Sequence, residues 1–159
     1  MNVAWAGHRP DLFRDPADAQ RAVNAAAQEV VQQGATRLLV GGQRGVDTWA
    51  AQAAVELAVP FKVILPLPID RFTHDWTPAD RALLEQLLSH AGDVRLAAGY
   101  NERNRLLATG ADLLVAVWIG IGGGGTAETI WLARQAGTAV REIVLEPAPG
   151  APQAQGRGI

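Results

Sequence analysis

The sequence predicts an α/β fold: a Rossmann-like doubly wound domain with a mostly parallel sheet and helices on both faces. Three observations carry this. Short apolar runs alternate with longer helical patterns along nearly the whole chain, the arrangement that yields a parallel sheet covered on both sides. At 159 residues, 48% hydrophobic and 19% charged, the chain suits a single domain able to bury a real core. Glycine-bearing turns follow three of the apolar runs, and the carboxyl ends of strands are where such sheets hold their ligands.

The elements follow in order. Strands are expected at 3–6, 37–40, 61–65, 93–96, 113–117 and 139–145, each a short apolar run between polar or glycine-bearing segments. Helices are expected between them, at 16–33, 45–58, 78–91, 101–109 and 127–136. The third has the clearest start, with Thr77 as N-cap, Pro78 at the first helical position and Asp80 in the first turn. Gly34 and Gly137 stand where helices stop. These elements define one nucleotide-binding domain over 1–146. Residues 147–159, PAPGAPQAQGRGI, are rich in Pro, Gly and Ala without periodicity and are expected to be loosely held. There is no internal repeat.

Bulk properties exclude several classes. A net charge of −2 supplies no general attraction to nucleic acid or acidic membranes. The absence of cysteine removes disulfides, thiolate metal sites and thiol nucleophiles. The start, MNVAWAGHRP, has no secretory pattern, and no apolar run reaches the ~18–20 residues that span a bilayer. The expectation is a cytoplasmic protein.

The richest stretch is YNERNRLLATGADLLVAVWIGIGGGGTAETIWLA, residues 100–133. It joins an Arg-Asn-Arg helix, a buried strand and a turn of Gly122, Gly123, Gly124 and Gly125 that opens into a helix near Thr126. Glycines let backbone N–H groups approach a ligand, and a helix N-terminus adds unpaired donors and partial positive charge. That pairing favours phosphate. Two further turns share its sheet edge. The first strand ends in Gly7-His8-Arg9-Pro10, and the second in Gly41-Gly42-Gln43-Arg44-Gly45-Val46-Asp47.

Other chemistries fit poorly. A P-loop needs a lysine after its glycines, and Lys62, the only lysine, lies inside a strand. A dehydrogenase needs G-x-G-x-x-G after its first strand, where this chain has GHRP. Ser89, the only serine, sits at a helix end, and His8, His74 and His90 are scattered without metal-ligand spacing. No metal and no resident cofactor are expected.

Arginine and carboxylate chemistry remains. Guanidinium groups grip phosphate through parallel hydrogen bonds, and Arg9, Arg44, Arg103 and Arg105 are the cations available. Helical geometry prevents Arg103 and Arg105 from facing one site together. Arg103 is the favoured ligand residue, with Asn104 beside it. Asp47 is expected to cap a helix and satisfy loop N–H groups, or else to meet a ribose hydroxyl. Trp118, at a strand end, either stacks on a base or serves as core. Trp5 is expected in the core, while Trp49 and Trp131 pack on the sheet or a subunit partner; the alanine-rich helices suit a homodimer.

The patterns GGQRGVDTWAAQAA, ERNRLLATGAD and GGGGTAET resemble the Rossmann-like superfamily that joins DNA-processing protein A to the Lonely Guy, or lysine-decarboxylase-like, nucleotide hydrolases. Small stand-alone bacterial members begin with a similar Gly-x-Arg-Pro turn. The resemblance covers roughly residues 2–145 and rests on the order and spacing of its motifs. From DNA-processing protein A it implies the Gly45-Val46-Asp47 turn, the Arg103-Asn104-Arg105 helix and single-stranded DNA binding. An acidic balance and the lack of an aromatic-and-basic track weigh against nucleic acid here. From the Lonely Guy enzymes it implies cleavage of the N-glycosidic bond of a nucleoside 5′-monophosphate, with Arg103 in the catalytic arginine's place. Their motif, Pro-Gly-Gly-x-Gly-Thr-x-x-Glu, ends in a catalytic glutamate. Here the turn is longer and lacks the proline, Thr129 holds the glutamate's position, and Glu128 stands one residue early.

The leading expectation is therefore a protein that binds a nucleotide or nucleotide-derived phosphate ligand at its glycine-rich strand ends. The residues expected there are Gly7, His8, Arg9, Gly41, Gly42, Arg44, Gly45, Asp47, Arg103, Asn104, Trp118 and 122–126. The alternative is a nucleoside monophosphate phosphoribohydrolase with Arg103 and Glu128 catalytic. Single-stranded DNA binding is the third.

Overall fold

The computed structural model describes residues 1–151. Six strands, β1 (Asn2–Gly7), β2 (Arg37–Val40), β3 (Phe61–Leu65), β4 (Asp93–Leu96), β5 (Leu113–Trp118) and β6 (Ala139–Val144), form one sheet in the order β4-β3-β2-β1-β5-β6. All neighbouring strands run parallel. The helices are α1 (Pro16–Gln32), α2 (Val46–Glu56), α3 (Ile69–Phe72), α4 (Pro78–His90), α5 (Tyr100–Thr109) and α6 (Gly124–Gln135).

Alternation along the central strands divides the interior in two. In β1, Val3 and Trp5 enter one core with Val23 of α1, Ala50 of α2 and Leu84 of α4. Ala4 and Ala6 enter the other, against Leu107 of α5 and Ile130 of α6. The same period of two splits β5, whose Val115 and Val117 face the first core and Leu114, Ala116 and Trp118 the second. Both faces are thus covered, and β1 and β5, both inside the sheet, are buried along most of their length.

The strand order fixes where a crevice must open. From β1 to β4 the chain steps steadily outward on one side. It then crosses back to place β5 on β1's other edge, with Trp5 opposite Val115 and Gly7 opposite Val117. Beyond their carboxyl ends the two central strands feed helices on opposite faces, and the loops part.

The expected α/β architecture is present, with strand boundaries within a residue or two. Three local features differ from expectation. Helix α6 begins at Gly124, not at 127, with Gly123 in the N-cap position. Two glycines of the turn therefore form its first turn, although glycine is a poor helix former. The four-residue α3 is too short for its periodicity to register. Residues 147–151, expected to hang loosely, are docked: Pro147 forms a bridge with Phe13, the Ala148 amide donates to the Leu12 carbonyl at 2.9 Å, and Ala151 is buried. The rest of the expected tail, 152–159, lies outside the described residues. Trp5 is fully buried, Trp49 packs against the first core, and Trp131 is 60% exposed on α6. No helix among the described residues is long and apolar enough to cross a membrane.

Candidate functional site

The loops beyond β1 and β5 enclose a cleft of about 290 Å³. It straddles the sheet edge. On the α5 and α6 side its wall is polar, made by Arg103, Asn104, Gly124, Gly125, Thr126 and Thr129. On the α1 and α2 side it is aromatic and apolar, made by Trp5, His8, Leu12, Ile119 and Ile121, with Asp47 and Gln43 beside them. A polar half and an apolar half in one crevice suit a small molecule that is itself polar at one end and flat or greasy at the other.

Arg103 dominates the polar half. Helix α5 buries Arg103, Asn104, Leu107 and Ala108, one continuous helical face, and leaves Arg105 exposed. The Arg103 residue is only 8% exposed. Its Nη1 donates to the Gly41 carbonyl at 2.6 Å and its Nε to Asn104 Oδ1 at 2.9 Å. Its guanidinium carbon lies 5.5 Å from the ring centre of Tyr100, one helical turn earlier. Burial lowers the guanidinium pKa, while the charge of Asp47 opposes the shift. The group stays cationic, since arginine does not give up its proton in proteins.

This placement depends on Gly41. A Cβ there would strike Arg103 Nη1 and lie 2.9 Å from Cζ and 3.0 Å from Asp47 Oδ2. The absence of a side chain is what lets the guanidinium reach the backbone carbonyl at the end of β2.

Asp47 sits in the first turn of α2 and is 5% exposed. Its Oδ2 accepts from the Gln43 amide at 3.1 Å and so ties down the 41–45 loop. This matches the loop-satisfying role expected for it; the helix cap itself is Gly45, with no side-chain cap. Asp47 Oδ1 is buried without a hydrogen-bond partner among the described residues. Burial pushes the carboxyl pKa up, opposed by Arg103 and by the amides of Gln43 and Gly41.

His8 closes the apolar half. Its ring lies 5.7 Å from Phe13 and 6.2 Å from Trp118, centre to centre. Burial, with help from the neighbouring Arg9 charge, lowers its pKa to about 4, so the imidazole is neutral at physiological pH. His8 Nε2 and Trp5 Nε1, like Asp47 Oδ1, have no partner among the described residues. Three orphaned polar atoms on residues of one cleft are unusual in a finished interior.

The structure gathers many of the expected residues here: Gly7, His8, Arg9, Asp47, Arg103, Asn104, Gly123, Gly124, Gly125 and Thr126 line the cleft. Others lie elsewhere. Trp118 is 9% exposed, and its Nε1 donates to Glu142 Oε1 at 2.9 Å on β6, so it belongs to the second core rather than to the cleft wall. Gly41 and Gly42 stand behind Arg103 and the loop, and Gly122 is outside the lining. Arg44 and Gly45 border a separate cleft. Glu128 is also outside the lining, because one residue along a helix turns a side chain by about 100° and Thr129 takes the inward place. Its hydroxyl donates to the Gly125 carbonyl at 2.7 Å.

The expected ligand site did not include Tyr100, Gln43, Leu12, Ile119, Ile121 or Thr129, although Thr129 was named at the glutamate's position. Two had a readable signal: Tyr100 lies three positions before Arg103, and Thr129 three after Thr126, so each shares a helical face with a named residue. No group of three or more His, Asp or Glu side chains able to hold a metal lies among the described residues.

With this geometry in place, comparison with known proteins assigns the family. The sequence profile of the YspA SLOG family matches residues 18–108, more than half the chain. The chain belongs to the YspA SLOG family. No curated protein matches the sequence. Among solved structures, the molybdenum cofactor carrier protein from Chlamydomonas reinhardtii superimposes with a TM-score of 0.61 at 22% identity, covering 89% of this chain and 74% of that one. The molybdenum cofactor binding protein from the phototrophic bacterium Rippkaea orientalis gives 0.59 at 23% identity, with coverages of 89% and 74%. DNA processing protein A from Streptococcus pneumoniae gives 0.66 at 18% identity, covering 89% of this chain but only 49% of that one. These likenesses show that the SLOG chain shares the Rossmann-like fold of all three.

Two predictions follow from the cleft. Gly41→Ala should displace the Arg103 guanidinium and cost about 1–3 kcal/mol of stability, measured by chemical unfolding; a variant as stable as the wild type would show that Arg103 is not held as described. The second concerns pH. The folded His8 pKa of about 4 lies below its ordinary 6.5, so between those values the unfolded chain binds a proton that the folded chain refuses. Stability contributed by neutral His8 is present above pH 6.5 and is lost as pH falls toward 4, by up to about 3 kcal/mol. Asp47, with a raised pKa, acts in the opposite sense, so the two must be separated by variants. The loss in unfolding free energy between pH 7 and pH 4 should shrink in His8→Gln, and an unchanged loss would contradict the burial of a neutral imidazole.

Proposed function

We propose that this chain binds a nucleotide or a nucleotide-derived small molecule in the cleft between the ends of β1 and β5. The phosphate lies on the amides that open α6, at Gly124, Gly125 and Thr126. There the unpaired N–H groups and the helix dipole favour an anion. Arg103 supplies the facing charge, and the aromatic half around His8 takes the base or sugar. The observation that carries this reading is the buried Arg103 guanidinium, fixed by Gly41 and Asn104 in the same cleft as the glycine turn. A cation held in that way, before any ligand arrives, is preorganised to grip a phosphate.

The folds it shares support the reading, since two of the similar structures are a carrier and a binder of the molybdenum cofactor and the third is a DNA-processing protein. A cleft of about 290 Å³ suits a small ligand better than a track for single-stranded DNA. For the hydrolase alternative, Glu128 lies outside the cleft and Asp47 is the only carboxylate among its described lining residues. Asp47 is engaged with the 41–45 loop. Binding without turnover is therefore the favoured form of the proposal.

Thermal unfolding against AMP tests it. Saturation at ~100 times the dissociation constant adds about 2.7 kcal/mol, a midpoint rise of roughly 5–10 °C for a domain of this size. Arg103→Ala should abolish the rise. So should Gly125→Val, whose Cβ would lie 3.7 Å from Asn104 Nδ2, an ordinary contact, and whose methyls would crowd the cradle. If neither AMP nor related nucleotides move the wild-type midpoint, the proposal fails.

A further inference from the structure

Two strands of the sheet have a neighbour on one side only, β4 at one end and β6 at the other. Each leaves a row of backbone N–H and C=O groups open to pairing. β4 is the barer of the two, with all four residues exposed, whereas half of β6 is partly covered. Register with β3 sets Val94 and Leu96 beside Val63 and Leu65, on the face of the first core. Asp93 and Arg95 stand beside Lys62 and Ile64, on the other face. Val94 is 45% exposed and Leu96 54%. An open edge with bare apolar side chains on one face is a surface that another strand covers.

The charged face says which strand fits. Asp93 Oδ2 lies 3.3 Å from Lys62 Nζ and 3.5 Å from Arg37 Nη2, which hold the carboxylate in place, yet its side chain stays 48% exposed. A carboxylate has about four acceptor sites, so room remains for a further donor. Arg95, exposed two residues on, has no ion-pair partner among the described residues. Antiparallel pairing of β4 with its own copy, about a twofold axis normal to the sheet, keeps every side chain on its own face. One residue must then oppose itself. With Val94 in that place, Asp93 of each copy faces Arg95 of the other, opposite charges directly across the ladder. Leu96 falls opposite Gly92, where a Cβ would meet only the Phe61 carbonyl oxygen, at 3.8 Å. The same operation on β6 gives no such match. Arg141 and Glu142 are adjacent and lie on opposite faces, so neither can oppose the other. They are already paired, with Glu29 at 2.7 Å and with Arg134 at 2.6 Å.

We propose that the open edge of β4 is the docking site for a second copy of this chain, which joins two six-stranded sheets into one continuous sheet. The contact uses the sheet edge and leaves the alanine-rich helices free. A four-residue strand covers less than the ~1,200–2,000 Å² of a standard interface, so the association depends on concentration.

Sedimentation equilibrium of the full chain from about 1 µM to about 500 µM tests this. The average mass should climb from that of the monomer toward that of the dimer. Arg95→Asp, which sets acid against acid, and Val94→Glu, which opposes a charge to itself, should each weaken association about tenfold or more. Both sites are exposed, and circular dichroism checks that these variants fold. Asp93→Arg alone should weaken association too. An equimolar mixture of Asp93→Arg with Arg95→Asp should recover the dimer, since each copy then carries the charges that the other lacks. Val144→Glu, on the opposite edge, should leave the mass curve unchanged. A wild type that stays monomeric throughout overturns the proposal. So does a dimer that Arg95→Asp and Val94→Glu leave intact, a dimer that Val144→Glu dissolves instead, or a mixture of folded charge variants that stays monomeric. If Asp93→Arg does not fold, having lost its contacts with Lys62 and Arg37, Arg95→Asp and Val94→Glu decide alone.

Discussion

Burying a guanidinium without a tight carboxylate partner is costly, and the structure around Arg103 is arranged to meet that cost. The Gly41 carbonyl and the Asn104 side chain take two of its N–H groups, the Tyr100 ring lies close by, and Asp47 opposes the charge from the start of α2. Each of these constrains something else. Gly41 must lack a side chain, the 41–45 loop must be tied to Asp47, and α5 must present one face inward with Arg103 and Asn104 on it. The arrangement leaves positive charge beside the glycine turn. A stable interior alone has no use for that charge, because replacing such a group with apolar side chains commonly stabilises a protein.

The second constraint is topological. Strand order places β1 and β5 side by side with their following segments diverging, so the crevice exists whatever the side chains are. The sequence then decides its character. Small Ala4 and Ala6 on one face of β1 allow α5 and α6 to approach and bring Arg103 and Thr126 to the edge; Trp5 on the other face builds the aromatic wall. The loops that leave β1 and β2 interlock through Gly45 and His8, and that contact divides the edge into two clefts.

Much of this was legible in the chain. Alternating apolar runs and helical patterns gave the strands almost residue by residue, and helical geometry showed that Arg103 and Arg105 could not both face one site. What escaped depended on distant partners or on weak local signals. Trp118 reads equally as a stacking platform or as core, and only Glu142, across on β6, settles its indole as a structural donor. The start of α6 was misplaced because glycines argue against helix locally, while the turn they form needs their backbone freedom. Arg44 sits one residue from Gln43, yet the two face different clefts, because the loop that carries them is a wall seen from both sides.

The most direct measurement is a crystal structure of the chain with AMP. The account predicts phosphate oxygens within hydrogen-bonding distance of the Gly125 and Thr126 amides and of the Arg103 guanidinium, with the base or sugar against His8. A nucleotide bound away from the β1–β5 crevice, or a phosphate that leaves Arg103 bonded only to Gly41 and Asn104, would contradict it.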